Sequence, residues 1–176
     1  MAEIPTFESS IRRALAAGSA LRDESVTTKT LIRAMPDSAE AALLGVGFGS
    51  SLRVGEVLVC GSRPGEWLLL GDPGEVLDGL DRSGHVSVID LTHGRALLRL
   101  VAADSARVLE KICSLDLADD MTPNGAVVSA SVAAISCDLV RDDVDGTPSY
   151  LIACDRSFGE YLAGAVLDAA DEFGIA

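Results

Sequence analysis

From Leu43 onward the chain consists of short apolar runs separated by Gly, Pro and Asp, a pattern typical of strands joined by turns. The strands that this pattern predicts cover residues 54–60, 66–70, 86–90, 95–101, 126–140 and 149–153. The five-residue connection 61–65 is suited to a hairpin, and Asp145-Gly146 is a tight-turn signal. We therefore expect the strands on either side of each connection to pair antiparallel.

Three helices are predicted within the same region. Asp72-Pro73-Gly74-Glu75 has the residues that cap and open a helix, and Asp104 precedes a second helix over residues 105–114. The third begins at a capping box, Ser157-Phe158-Gly159-Glu160, and ends at Gly174. Its predicted buried face consists of Tyr161, Leu162, Ala165, Val166, Ala169 and Phe173.

Antiparallel strands followed by single helices define the fold class. The helices and strands have apolar residues on one face, so helices are expected to cover antiparallel sheets. This predicts an α+β domain over residues 43–176, with ferredoxin-like βαββαβ elements.

The first 42 residues differ in composition from the rest. Five of the basic residues fall here among Ser and Thr, and Ile11, Ala14 and Leu15 recur at the spacing of a short helix. Residues 19–30 have no clear hydrophobic period. We interpret residues 1–42 as an extension, either a partly disordered tail or an arm that becomes ordered on a partner.

Composition and charge restrict the possible partners. The 176 residues are 48% hydrophobic, as expected for a globular protein, and carry a net charge of −13. Such a surface repels nucleic-acid phosphates and anionic lipids. With neither a leader pattern nor an apolar run long enough to cross a membrane, the chain is predicted to be cytoplasmic. The four cysteines are widely spaced and are predicted to be buried, reduced thiols.

Three segments partly resemble known functional motifs but lack residues that those motifs require. Residues 45–49, Gly-Val-Gly-Phe-Gly, lack both the spacing and the lysine of a nucleotide-binding loop. Asp90 and His93 lie near Ser83 and Ser87 without a nucleophile elbow. The aspartates of residues 142–145 lack the rest of a calcium-binding loop. A structural turn is the preferred interpretation of each motif.

The order and spacing of several segments resemble the gamma subunit family of heterotetrameric sarcosine oxidase over about residues 43–174. The segments that carry this resemblance are Gly65-Glu66-Trp67-Leu68-Leu69-Leu70, Val88-Ile89-Asp90-Leu91-Thr92, Ala106-Arg107-Val108-Leu109, Cys113-Ser114-Leu115-Asp116-Leu117, Asp155-Arg156-Ser157-Phe158, Tyr161-Leu162 and Leu167-Asp168-Ala169-Ala170. The family commonly has Ser where Thr92 stands. The resemblance implies the α+β fold of the folate-binding glycine-cleavage T-protein. The T-protein's acidic pair is not recognisable, because residues 133–138 read Ala-Ala-Ile-Ser-Cys-Asp.

The resemblance also implies a function. This chain would be a small, non-catalytic subunit of an oxidoreductase complex that demethylates an N-methyl amine and passes the one-carbon unit to tetrahydrofolate. FAD, FMN, NAD and tetrahydrofolate would be bound by larger flavoprotein and folate-binding subunits, and none by this chain alone. The alternative is a free-standing tetrahydrofolate-binding protein or folate-dependent aminomethyltransferase.

The candidate site residues follow from the same comparison and from the charge pattern. A basic patch that meets either folate or acidic residues of a larger subunit could be formed by Arg95, Arg99, Arg107 and Arg156. Of these, Arg156 suits bidentate recognition of a carboxylate. No catalytic or metal-binding residue is predicted. The partner- or folate-facing candidates are Asp90, Thr92, His93, Arg95, Arg99, Arg107, Arg156 and Tyr161.

Overall fold

A computed structural model describes residues 9, 11, 15, 18–81 and 84–176. Its strands are β1 (Leu21–Asp23), β2 (Lys29–Arg33), β3 (Ser51–Val54), β4 (Val57–Arg63), β5 (Glu66–Leu70), β6 (Ser87–Asp90), β7 (Arg95–Val101), β8 (Val127–Val132), β9 (Ile135–Arg141) and β10 (Ser149–Asp155). The helices are α1 (Ala39–Leu44), α2 (Gly74–Asp78), α3 (Ser105–Glu110) and α4 (Gly159–Asp171), with a 3₁₀ turn at Arg156–Phe158. The predicted helix around Ala14 and the serine at position 83 lie outside the described residues.

The strands form two five-stranded antiparallel sheets. Sheet I has the order β1-β7-β10-β9-β8, and sheet II has the order β3-β4-β5-β2-β6. The α+β class is therefore confirmed. Sheet I has strands from both ends of the described chain, since β1 pairs with β7, whereas sheet II consists of β2 to β6, with β2 between β5 and β6.

Three apolar clusters hold these elements together. One packs α3 and α4 on sheet I, and a second packs α1 and α2 on sheet II. The third joins the facing surfaces of the sheets, with Leu58 and Leu68 from sheet II against Leu97, Val140 and Leu151 from sheet I. The result is a helix–sheet–sheet–helix stack in which the central strands of both sheets are buried on both faces.

Several sequence predictions match these elements closely. β7 has the predicted bounds, β9 and β10 pair antiparallel, and Asp145 and Gly146 form the tip between them with φ of 49° and 76°. Trp67 is buried, and all four cysteines are free and buried. The run predicted as one strand over 126–140 is instead a hairpin, because Ala133 and Ala134 turn the chain with φ of 49° and 66°.

The predicted caps and one helical face need correction. Ser38 caps α1, whereas the side chains of Asp104 and Ser157 make no cap hydrogen bond to α3 or α4. Asp104 pairs with Arg107 instead. Tyr161 was placed on the buried face of α4, but it is 60% exposed.

Residues 21–33 supply β1 and β2, which the sequence analysis did not predict. The polar Lys29 and Thr30 are buried in β2 and hide its apolar pattern. The boundary between an extension and a domain at residue 42 stays a prediction.

Candidate functional site

The turn between β6 and β7 meets the junction between β10 and α4. The backbone N–H of Arg156 donates to the carbonyl of Gly94 at 3.0 Å, which ties the 3₁₀ turn to the β6–β7 turn. Asp90, Thr92, His93 and Arg95 all lie on that turn or at its ends. The fold therefore brings five of the eight candidate residues into one region, which we call the turn–junction site.

Asp90 and Thr92 fix the shape of the turn. Asp90 Oδ1 accepts a hydrogen bond from the Thr92 N–H at 2.8 Å, and hydrogen bonding with Thr92 lowers the pKa of the Asp90 carboxyl. Thr92 Oγ1 in turn accepts from the backbone N–H of Lys29 at 3.0 Å. Asp90 itself is exposed, so its carboxylate remains available to solvent or to a partner.

Lys29 lies behind this turn, and the sequence analysis missed it. Its side chain is fully buried, and its ammonium donates to the carbonyls of Ser25 and Thr27 at 2.8 and 2.7 Å. Burial lowers its pKa to about 8, although Asp23 and Asp90 partly offset the shift. Lys29 therefore anchors the loop between β1 and β2 to the turn–junction site.

This lowered pKa predicts how stability depends on pH. Between about pH 8 and 10.5 unfolding takes up a proton at Lys29, so this group's contribution to the free energy of unfolding rises as pH rises through that window. From pH 7.5 to 9.5 the free energy of unfolding of the parent chain should rise by about 2 kcal/mol relative to that of Lys29→Met. The hydrogen bonds that the variant lacks add an offset that does not change with pH. Urea unfolding at each pH measures it, and a difference that does not vary with pH would contradict this role of Lys29.

Arg95 is held by one carboxylate and one backbone carbonyl of its own chain. Its Nη2 lies 2.9 Å from Asp138 Oδ2 and 2.9 Å from the carbonyl of Ala153. Asp138 Oδ1 also lies 3.4 Å from Nη2 of Arg63, which belongs to sheet II. Asp138 therefore joins the two sheets through two arginines.

Arg99 repeats this arrangement four residues further along β7. Its guanidinium pairs with Asp142 Oδ2 at 2.9 Å and with Glu24 Oε1 at 2.7 Å. Asp142 is also 2.8 Å from Arg53 of sheet II. Arg99 is remote from the β6–β7 turn, and it contributes to a second cross-link between the sheets.

A polar cleft of about 270 Å³ opens beside the turn–junction site. Its charged lining consists of Arg33, Arg63, Glu66, Arg95, Asp138 and Asp155. Glu66 pairs with both Arg33 and Arg63, so acids and bases balance along most of the wall. The cleft is polar but carries no strong excess of positive charge.

Arg107 and Tyr161 lie outside this cleft. Arg107 pairs with Asp104 at 2.7 Å and stacks its guanidinium 4.9 Å from the ring centroid of Phe173. Tyr161 is exposed in the first turn of α4, five residues after Arg156. Arg107 is thus separate from the turn–junction site, whereas Tyr161 borders its α4 side.

Two aspartates of the acidic loop after β9 are also paired with arginines of the same chain. Asp142 accepts from Arg53 and Arg99, and Asp143 lies 2.5 Å from Nε of Arg141. Within the described ranges no group of three or more His, Cys, Asp or Glu side chains is arranged to hold a metal ion. Nor do those ranges contain a helix long and apolar enough to cross a membrane.

Comparison with solved structures first defines the fold. The glycine cleavage system aminomethyltransferase T from Bartonella henselae superimposes with a TM-score of 0.59 at 18% identity. The match covers 84% of this chain and 45% of that protein. The two-sheet domain therefore has an aminomethyltransferase T-like fold, as the sequence resemblance implied.

Closer matches then define the family. The model of the sarcosine oxidase gamma subunit family matches residues 37–172. Sarcosine oxidase subunit gamma from Arthrobacter sp. is 29% identical over 168 residues, which cover 87% of this chain and 80% of that protein. A chain of heterotetrameric sarcosine oxidase from Corynebacterium sp. U-96 is 31% identical with a TM-score of 0.76, covering 89% of this chain and 85% of that chain. This chain belongs to the sarcosine oxidase gamma subunit family.

Proposed function

We propose that the chain is a small accessory subunit of a sarcosine oxidase complex. The observation that carries this proposal is its similarity, at 31% identity and over most of both chains, to a chain of the heterotetrameric enzyme from Corynebacterium. In that assembly this chain supports the oxidative demethylation of an N-methyl amine that larger subunits carry out. FAD, FMN, NAD and tetrahydrofolate are bound by those subunits, and the complex works in the cytoplasm.

The charge pairing of the site supports a structural role. Arg95 and Arg99 each bind a carboxylate of β9 or of the loop after it, and Arg63 and Arg53 extend these pairs to sheet II. Their charges are used to join the two sheets of the domain. An ion pair that is already satisfied gains little from a new ligand, because binding would first have to break it.

The exposed part of the turn–junction site is suited to contact with a larger subunit. Asp90 and His93 are exposed on the turn, and Phe158 and Tyr161 are 46% and 60% exposed on the neighbouring junction and helix. Aromatic side chains with a polar turn beside them are typical of protein interfaces. We propose that this surface, with Thr92 and Arg156 at its base, faces a larger subunit.

Affinity purification of the tagged chain from its own cells tests the proposal. We expect it to recover larger subunits with the visible absorbance of bound flavin, in a fixed ratio to the tagged chain. Titration calorimetry of the isolated chain with tetrahydrofolate should give no saturable heat at micromolar ligand. Recovery of the chain without a flavoprotein, together with saturable folate binding, would support the free-standing folate protein instead.

A further inference from the structure

The glycine-rich segment of residues 45–49 is a rigid loop that presents an aromatic side chain to solvent. Trp67 Nε1 donates to the carbonyl of Val46 at 2.8 Å, and the Gly49 N–H donates to the carbonyl of Gly61 at 2.9 Å. Gly61 in turn donates to Ser50 at 2.9 Å. With its backbone held in this way, Phe48 is 66% exposed. Because the backbone that carries this ring is already ordered, binding through Phe48 costs less conformational entropy than binding through a flexible loop, as is common for interface anchors.

An unpaired strand edge lies beside Phe48. The two-residue loop of the β8–β9 hairpin sets which β8 residues bond to β9, and it leaves Ser129 and Ser131 directing their backbone groups outward. At one end of this edge Val127 donates to Gly49, and at the other Ala133 donates to Ile112. An antiparallel bridge between Cys113 and Val132 closes this end and sets the Ser131 carbonyl opposite the backbone of Ser114. Within the described part of the chain, the outward N–H and C=O of Ser129 and the N–H of Ser131 have no backbone partner. Both residues are exposed.

An open groove of about 670 Å³ follows this edge, with apolar side chains on its walls. Phe48, Leu115 and Met121 are the large apolar side chains that line it. Met121 is 64% exposed. Large exposed apolar side chains gathered at a groove mark a contact site more strongly than the same residues scattered singly.

The charge around the groove indicates what covers it. Asp116, Asp119 and Asp120 are exposed in the segment that carries Met121. Asp119 pairs with the buried guanidinium of Arg141. The carboxylate of Asp119 nevertheless remains largely exposed. A second copy of this chain, with its net charge of −13, would be repelled from this rim. A basic segment would be attracted to it.

We propose that the β8 edge binds an extended, basic segment of a larger subunit as an added strand. The segment pairs with the outward backbone groups of Ser129 and Ser131, places an apolar side chain between Phe48 and Met121, and directs its basic side chains toward the aspartates. This binding mode gives affinity through main-chain hydrogen bonds and specificity through side-chain contacts. The inference rests on the proposed function, because it names a second surface, besides the turn–junction site, by which the accessory subunit is held.

The test is purification of the complex through tagged variants of this chain. The double variant Phe48→Ala/Met121→Ala removes both anchors, which are exposed and so not required for folding. The matched control is Met35→Ala, since Met35 is 63% exposed and lies outside the groove. We expect the double variant to recover roughly tenfold less of the flavin-bearing subunits, while the control matches the parent chain.

Hydrogen exchange in the assembled complex provides a second measurement. The amides of Ser129 and Ser131 should exchange more slowly in the complex than in the free chain, because each would bond to the added strand. If the parent chain recovers the larger subunits but the double variant recovers them equally well, or if these amides are not protected, the docking proposal fails and the proposed function stands. If the parent chain recovers no flavoprotein, both fail.

Discussion

Replacing Asp138 with leucine should lower the free energy of unfolding by about 3 to 5 kcal/mol. Its carboxylate is 4% exposed and pairs with Arg95, a side chain that is itself only 17% exposed. Without Asp138 the Arg95 guanidinium keeps a charge in the interior, and among the described residues the Ala153 carbonyl is the hydrogen-bond partner that it retains. This loss is a large part of the total stability of an ordinary domain. Chemical denaturation measures it directly.

Two further variants show whether the loss of stability comes from the unpaired charge of Arg95. The double substitution Asp138→Leu with Arg95→Met should recover most of the loss, because an apolar pair replaces an ion pair at little cost. The exposed pair of Asp104 and Arg107 provides a comparison, and Asp104→Asn should change stability by no more than about 0.5 kcal/mol. Equal losses in Asp138→Leu and the double variant would show that Arg95 does not depend on Asp138.

Replacing Gly61 with alanine should destabilise the chain by about 3 kcal/mol, the upper end of the usual range for overpacking. A Cβ at this position would lie 2.0 Å from the carbonyl oxygen of Gly47 and 2.7 Å from its carbonyl carbon. Because both are backbone atoms, the whole 45–49 loop would have to move. That movement breaks the hydrogen bonds by which Gly61 holds Gly49 and Ser50. Phe48 would lose its fixed position, so the variant should also bind the larger subunits less well.

Gly47→Ala is the matched control for this prediction. A Cβ on Gly47 meets no atom within 4 Å, although it lies on the other side of the same close approach. Its thermal unfolding midpoint and its recovery of the complex should therefore stay close to those of the parent chain. If Gly61→Ala is as well tolerated as Gly47→Ala, the loop is not held as we describe.

Local patterns predicted β5, β6, β7 and β10 and the helices after residue 70, because alternation and turn residues reflect nearby backbone geometry. They missed α1 and β3, and the strand predicted over 54–60 begins three residues before β4. The strands β7 and β10 and the Asp145-Gly146 turn are examples. The turn at Ala133 and Ala134 was missed because alanine carries no signal for positive φ. β2 was missed because Lys29 is buried, and lysine normally indicates an exposed position.

The candidate site was predicted less completely, since its contacts join distant parts of the chain. Arg95 and Arg99 were identified as a basic face of one strand, but their partners Asp138 and Asp142 lie more than 40 positions away. Arg95 and Arg99 are four residues apart, as are Asp138 and Asp142, and residues at this spacing in an extended chain point to the same side. This equal spacing was the signal that the sequence offered. It becomes decisive only when the sheet order places β7 and β9 on either side of β10.

The measurement that tests the account most directly is turnover of sarcosine by two preparations: the isolated chain and the assembly purified through its tag. We predict that the assembly oxidises sarcosine and that the isolated chain, at the same molar concentration, does not. Sarcosine oxidation by the isolated chain would contradict the account, because it would place reactive groups in a domain whose candidate arginines Arg95 and Arg99 are paired with carboxylates of the same chain.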